Sequence, residues 1–283
     1  MTKRETTPLH HDPIIAFIGG GNMARSLIGG LLARGTTAAS IRAADPNAES
    51  RSSLSHDFGI QADADNTAAA DGAAIWVLAV KPQVMATVCA SLRALAQAQR
   101  PTIVSIAAGI TSTQIDGWLG GEQAIVRCMP NTPALLGAGA TGVCANARVG
   151  DAARAQVMAL LAAVGISVAI EDEALMDAVT AVSGSGPAYV FLLAEAWQAA
   201  AQAQGLTADA ARALVNQTIL GAARMLLESD APATTLRQRV TSPGGTTHAA
   251  ITQMQGDGFA ALIARAIDAA TRRGAELAAA ASV

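Results

Sequence analysis

The sequence predicts an α/β N-terminal domain with a mainly parallel sheet, followed by an all-α C-terminal domain. Two patterns point there. Up to about residue 170, short apolar runs alternate with helical stretches, the grammar of a parallel sheet covered on both faces. After about residue 172 the strand signals stop, and helix follows helix. Size agrees: 283 residues, 51% of them hydrophobic, can bury a substantial core in one large or two smaller domains.

Taken in order, IIAFIG (Ile14 to Gly19) reads as a buried strand, and NMARSLIGGLLARG (Asn22 to Gly35) as a helix stopped by glycine. IRAAD (Ile41 to Asp45) is a second strand. AAIWVLAV (Ala73 to Val80), TIVSIAAG (Thr102 to Gly109) and AIVRCMP (Ala124 to Pro130) are further strands, with helices between most of them. TGVCANA and GISVAI add edge strands around a helix in DAARAQVMALLAAVG. Beyond that, Glu173 to Ser183, Pro187 to Gln204, Thr207 to Ser229 and Phe259 to Ala281 read as helices, with shorter ones from Pro232 to Val240 and Thr247 to Gln255. Several are apolar on more than one face. Such helices must be buried, and this half is too small to bury them alone, so a subunit interface is expected.

Composition excludes several classes. A net charge of -3 gives no reason to expect a nucleic-acid partner, which would need a basic face. Cys89, Cys128 and Cys144 are odd in number and far apart, which suits reduced, buried thiols of a cytosolic protein rather than a disulfide frame or metal site. The polar MTKRETTPLHHDP has no signal-peptide core, and a flexible tail is expected over 1–12, His10 and His11 included. No unbroken apolar run is long enough to span a membrane.

FIGGGNMA sets Gly19-x-Gly21-x-x-Ala24 between the first strand and first helix. That is the context of a dinucleotide-binding, Rossmann-type turn, here expected over 13–171. One glycine makes the turn, the next admits the pyrophosphate, Ala24 lets helix and sheet approach, and the helix N-terminus around Asn22 and Met23 favours phosphate. Asp45 ends the second strand, where an acid binds a ribose 2′-hydroxyl; it is equally a turn residue before Pro46. NADH and NADPH both stay open, with Arg42 and Arg51 nearby. Asn66 is either an adenosine contact or a helix cap. Lys81, in Ala79-Val80-Lys81-Pro82, sits at the carboxyl end of a central strand, where open α/β sheets bind ligands. Ala107, Ala108 and Gly109 offer a slim backbone beside a nicotinamide.

RCMPNTPALLGAGATGV (Arg127 to Val143), AVSGSGPAYVF (Ala181 to Phe191) and TSPGGTT (Thr241 to Thr247) complete a resemblance to pyrroline-5-carboxylate reductases over nearly the whole chain. The resemblance implies reduction of the C=N bond of 1-pyrroline-5-carboxylate to L-proline by NADPH or NADH, in a cytoplasmic enzyme of proline biosynthesis. It implies a helical dimerisation and substrate-binding domain over 172–283, a homodimer, and further assembly into rings.

SGSGP breaks an apolar helical run. It is expected to stop one helix and start another at Pro187, with Ser185 and Gly186 aiming donors at the substrate carboxylate. Gly244, Gly245, Thr246 and Thr247 form a second such turn. By resemblance Thr247 lies near the substrate nitrogen; helix capping is its structural alternative. Met129, Pro130, Asn131 and Thr132 are expected to shape the pocket. No metal is called for, since nicotinamide supplies the hydride. Hydroxyacid dehydrogenases of similar architecture use a lysine in the helical domain, and no lysine follows Lys81 here. A non-catalytic dinucleotide sensor would have no need for both glycine-rich turns.

Overall fold

The computed structural model describes residues 13–280; the tail with His10 and His11 lies outside them. The described chain divides into two compact units, one running to Gly184 and including the stretch from Thr271, the other Ser185–Ala270.

The first unit is a doubly wound sheet of eight strands: β1 (Ile15–Ile18), β2 (Ile41–Ala44), β3 (Gln61–Asp63), β4 (Ile75–Leu78), β5 (Thr102–Ser105), β6 (Ala124–Met129), β7 (Gly139–Ala145) and β8 (Gly165–Ala169). Their order is β3-β2-β1-β4-β5-β6-β7-β8, and every pairing is parallel except β6 with β7. Alternate side chains leave opposite faces of a strand, so a strand buried on both sides reads as a continuous apolar run. In β1, Ile15 and Phe17 enter one core and Ala16 and Ile18 the other. The first core is closed by α1 (Asn22–Ala33), α2 (Ala48–Phe58) and α6 (Asp151–Ala162), through Leu27, Leu31, Leu54, Val157 and Leu161. The second is closed by α3 (Asn66–Ala70), α4 (Pro82–Gln99) and α5 (Ser112–Trp118), through Ala69, Met85, Leu92 and Ile115.

Local chemistry sets the helix ends. The Asn47 side chain caps α2, accepting from the N–H groups of Glu49 at 2.8 Å and Ser50 at 3.1 Å. Thr111 and Gln114 form a reciprocal capping box on α5. Pro82 opens α4, where its missing N–H costs nothing.

The expected run from Glu173 to Ser183 is helical but irregular. A 3₁₀ turn (Glu173–Leu175) leads into α7 (Met176–Val179) and then a π-helical turn (Thr180–Gly184). Ser185 keeps right-handed helical angles, φ -85° and ψ -19°, and α8 (Gly186–Ala203) follows. SGSGP is therefore a widened turn in a near-continuous helical path, where the sequence predicts a clean stop and restart. Such π turns release backbone carbonyls from the α ladder and concentrate at functional sites.

The second unit is helical: α8, α9 (Ala208–Glu228), α10 (Ala233–Arg239), α11 (Thr246–Gly256) and the start of α12 (Phe259–Ala280). α8 and α9 pack side by side, and Gln198 Nε2 donates to Asn216 Oδ1 at 3.1 Å. Few side chains are covered. α8 buries none of its residues, and Phe191, Leu192 and Leu227 are 66%, 65% and 81% exposed. An apolar helix left this bare in one chain needs a second chain to cover it. No described helix is long and apolar enough to cross a membrane.

Candidate active site

Gly19 follows β1 with φ 105°, a conformation open to glycine, and its N–H donates to the Ala44 carbonyl at 2.8 Å. A Cβ there would stand 2.6 Å from the Ala79 carbonyl oxygen. This close approach brings the carboxyl ends of β1, β2 and β4 together beside the point where strand order reverses between β1 and β4. That reversal is where open α/β sheets bind their ligands.

A cleft of about 450 Å³ opens there, lined by Gly19, Gly21, Asp45, Asn66, Ala79, Val80 and Lys81 among others. Seven of the sequence-derived cofactor candidates thus surround one cavity. Asn22 lines an adjoining cleft with Gly20, Gly21 and Asp45. Ala24 is fully buried in the core, as close packing of α1 on the sheet requires, and Met23 packs against that core. Pro82 starts α4 directly after Lys81, which is its exposed N-cap residue.

Ala107, Ala108 and Gly109 follow β5 and do not line this cleft. Gly109 instead backs onto the end of α12, where its Cβ would lie 3.6 Å from the Ala278 nitrogen.

The sequence left two capping alternatives open, and the structure resolves both. The N-cap of α3 is Asp65, whose carboxylate accepts from the Thr67 N–H at 2.9 Å, so Asn66 is not the cap. The N-cap of α11 is Gly245, which places Thr247 inside the first turn rather than at the cap. Asp45 does act as a turn residue: its Oδ1 accepts from the Asn47 N–H at 2.8 Å. Its Oδ2 also accepts from the Gly20 N–H at 2.8 Å, fastening the glycine turn to the end of β2. Sequence reasoning passed over Gly20, the unspecified position of the motif; a Cβ there would meet Leu54 Cδ1 at 2.7 Å.

Three nearby arginines are engaged. Arg51 Nη1 donates to the carbonyls of Asp45 at 2.8 Å and Pro46 at 2.9 Å. Arg42 Nη1 donates to the Asp71 carbonyl at 2.7 Å. Arg25 is ion-paired with Asp57, whose carboxyl is held down to about 2 by the His56 hydrogen bond and by Arg25 itself.

The residues fit a dinucleotide. Gly21 is the N-cap of α1, whose first-turn N–H groups no side chain caps, and no atom lies within 4 Å of where its Cβ would stand, leaving room for a phosphate beside a helix N-terminus.

The MPNTP stretch braces the π turn. Asn131 is buried; its Nδ2 donates to the Ser183 carbonyl at 3.0 Å and its Oδ1 accepts from the Ala140 N–H at 2.9 Å. Behind it, the buried Arg127 reaches Glu173 at 3.3 Å and Asp177 at 3.6 Å. Glu173 also accepts from the Ser112 N–H at 2.7 Å and from the Ser112 hydroxyl. The substrate-site candidates stand at two helix starts: Ser185 and Gly186 at α8, and Gly244 to Thr247 at α11.

Comparison with known proteins agrees with this architecture. Residues 173–277 match the family model "Pyrroline-5-carboxylate reductase dimerisation", and 14–109 match "NADP oxidoreductase coenzyme F420-dependent". A pyrroline-5-carboxylate reductase of Pseudomonas aeruginosa is 54% identical, over 94% of this chain and 97% of that protein. The solved pyrroline-5-carboxylate reductase of Coxiella burnetii is 40% identical with a TM-score of 0.91, covering 94% of this chain and 98% of that one. The Plasmodium falciparum pyrroline carboxylate reductase, solved with NADP bound, is 28% identical with a TM-score of 0.83, covering 95% and 99%. The chain belongs to the pyrroline-5-carboxylate reductase family.

Proposed function

We propose that this chain reduces the C=N bond of 1-pyrroline-5-carboxylate to give L-proline, using NADH or NADPH, as the last step of proline biosynthesis. The observation that carries the reading is near-full-length identity of 54% to the Pseudomonas aeruginosa reductase. The dinucleotide cleft at the strand-order reversal supports it.

In this reading residues 13–171 hold the dinucleotide, and 172–283 pair the subunits and bind substrate. Gly19, Gly21, Asn22, Met23 and Ala24 form the phosphate turn. Asp45 and Asn66 face the adenosine end, and Ala79, Val80, Lys81 and Pro82 line the floor. Ala107, Ala108 and Gly109 carry backbone towards the nicotinamide. When bound, the reduced nicotinamide supplies a hydride, and the protein supplies orientation.

Ser185 and Gly186 receive the substrate carboxylate with donors of the α8 start. Gly244, Gly245 and Thr246 offer a second set at α11. The Thr247 hydroxyl oxygen accepts from the ring N–H of the protonated imine, and the amine formed by hydride addition keeps that proton. Hydride on carbon and a proton on nitrogen balance the reduction. A protonated imine is already electrophilic, so positioning accounts for much of the rate. The bare faces of α8 and α9 pair in a homodimer; dimers assemble into rings, in the cytoplasm.

The test is nicotinamide oxidation by purified protein given pyrroline-5-carboxylate with NADH or NADPH in parallel, with proline identified by chromatography. Folded protein that oxidises neither cofactor would overturn the reading.

A further inference from the structure

We propose that Arg127 is a positioning residue for the substrate turn: it acts through Asp177 and fixes the π turn that leads into Ser185 and Gly186. The inference rests on the reading that those two residues receive the substrate carboxylate.

β6 sets up the grip. Val126 and Cys128 fill the first core, so Arg127 and Met129 leave from the opposite face of the strand. Their register partners on β7, Cys144 and Gly142, share that face. The stretch from Glu173 to Gly184 lies against it and is held at both ends. At the exit, Asn131 holds the Ser183 carbonyl, and Met129 Cε stands 2.5 Å from where a Gly184 Cβ would be. At the entrance the hold is ionic: Arg127 Nη1 reaches Glu173 at 3.3 Å and Nη2 reaches Asp177 at 3.6 Å.

The two carboxylates, spaced i and i+4, thus meet the two arms of one guanidinium whose side chain is 5% exposed. Glu173 has a second anchor in Ser112. Asp177 has none: its Oδ1 is buried without a hydrogen bond, and 3.6 Å is a charge contact. The α12 backbone closes over that oxygen at Gly274, where a Cβ would stand 3.2 Å from it. Among the described residues, Arg127 is the ion-pair partner that answers the Asp177 charge. An apolar side chain would fill the same space at lower cost than a buried ion pair. What the charge adds is direction. A rigid planar fork fixes Asp177, and with it the rotation of α7 about its own axis. The π turn continues that path and Ser185 keeps helical angles, so the rotation carries through to the N–H groups that follow. Hydrogen bonds to a carboxylate weaken steeply with misalignment.

The test is steady-state kinetics of full-length Asp177→Asn, Arg127→Lys and the double variant, with folding followed by circular dichroism. Asp177→Asn keeps the shape and removes the charge, while Glu173 still pairs with Arg127. Arg127→Lys keeps the charge and loses the fork. Each should raise the KM for pyrroline-5-carboxylate about ten-fold, the worth of one misaligned hydrogen bond to a charged group. The cofactor KM should stay unchanged, and amide exchange over residues 180–186 should quicken. The double variant should be no worse than the single ones, because both break one contact. An unchanged substrate KM in folded Asp177→Asn overturns the proposal, as does a fall in kcat alone, which marks a merely structural role. Single effects that multiply in the double variant overturn action through Asp177. Wild type without turnover of pyrroline-5-carboxylate overturns the reductase reading and this proposal with it.

Discussion

Replacing Asn131 by alanine tests how the π turn is held. The buried amide joins two segments, donating to Ser183 and accepting from Ala140. Truncation leaves a carbonyl and an N–H without their partner. Each buried group left unpaired costs about 1–3 kcal/mol, and water entering the vacated space recovers part of that. The net loss is about 2–4 kcal/mol, a large share of the roughly 5–15 kcal/mol that holds a domain folded. At roughly 2–4 °C per kcal/mol for a chain of this size, the melting midpoint should fall by about 4–16 °C. Wild type and variant must be compared at one protein concentration, because the midpoint of an oligomer depends on it. The turn itself should loosen, so KM for pyrroline-5-carboxylate should rise more than kcat falls. Asn131→Asp keeps an acceptor for Ala140 but sets a carboxylate oxygen against the Ser183 carbonyl; it should not restore KM. A midpoint within about 1 °C of wild type, with KM unchanged, would refute the reasoning.

Three further outcomes are expected. Gly21→Ala meets no atom within 4 Å, so it should fold normally yet raise the cofactor KM by placing a methyl in the cleft, whereas Gly19→Ala collides with the Ala79 carbonyl and should lose both folding and binding; equal melting points for the two would contradict this. Thr247→Ala should lower kcat with little change in cofactor affinity, and unchanged turnover would remove the role given to its hydroxyl. Burial pushes the Cys89 thiol up to about 12 from its ordinary 9.0, and Cys128 and Cys144 upward as well, so a thiol-reactive dye at pH 8 should label native protein slowly and unfolded protein fast. The sign for stability follows: the unfolded chain loses the Cys89 proton first, so stability is full below about 9 and falls as pH rises towards about 12.

Much of the sheet was legible because its strands are buried on both faces, and IIAFIG or AAIWVLAV announce that by continuous apolarity. β3 was not, since Gln61-Ala62-Asp63 has no apolar run; it exists as a strand only by pairing along β2. The helices of the second half were legible to within a residue or two at most ends. Their bare faces agree with the expectation of an interface. The π turn was not legible, because SGSGP reads locally as a breaker, while one contact that holds it, the Asn131 bond to Ser183, is long-range. At the cleft beside the strand-order reversal, the motif and strand-end reading had already named Gly19, Asp45, Asn66 and Lys81, which line it together. The Asp45 bond to Gly20 carries no sequence signature beyond an acid at the end of one strand and a glycine after another.

The central claim is transfer of hydride from nicotinamide to the imine carbon, and isotope labelling tests it most directly. The enzyme would be given pyrroline-5-carboxylate with reduced nicotinamide carrying deuterium at the transferable position of carbon 4, and the product examined by mass spectrometry and NMR. The account predicts L-proline carrying one deuterium, on the carbon of the former C=N bond. Proline without deuterium, or oxidation of the cofactor without proline, would contradict it.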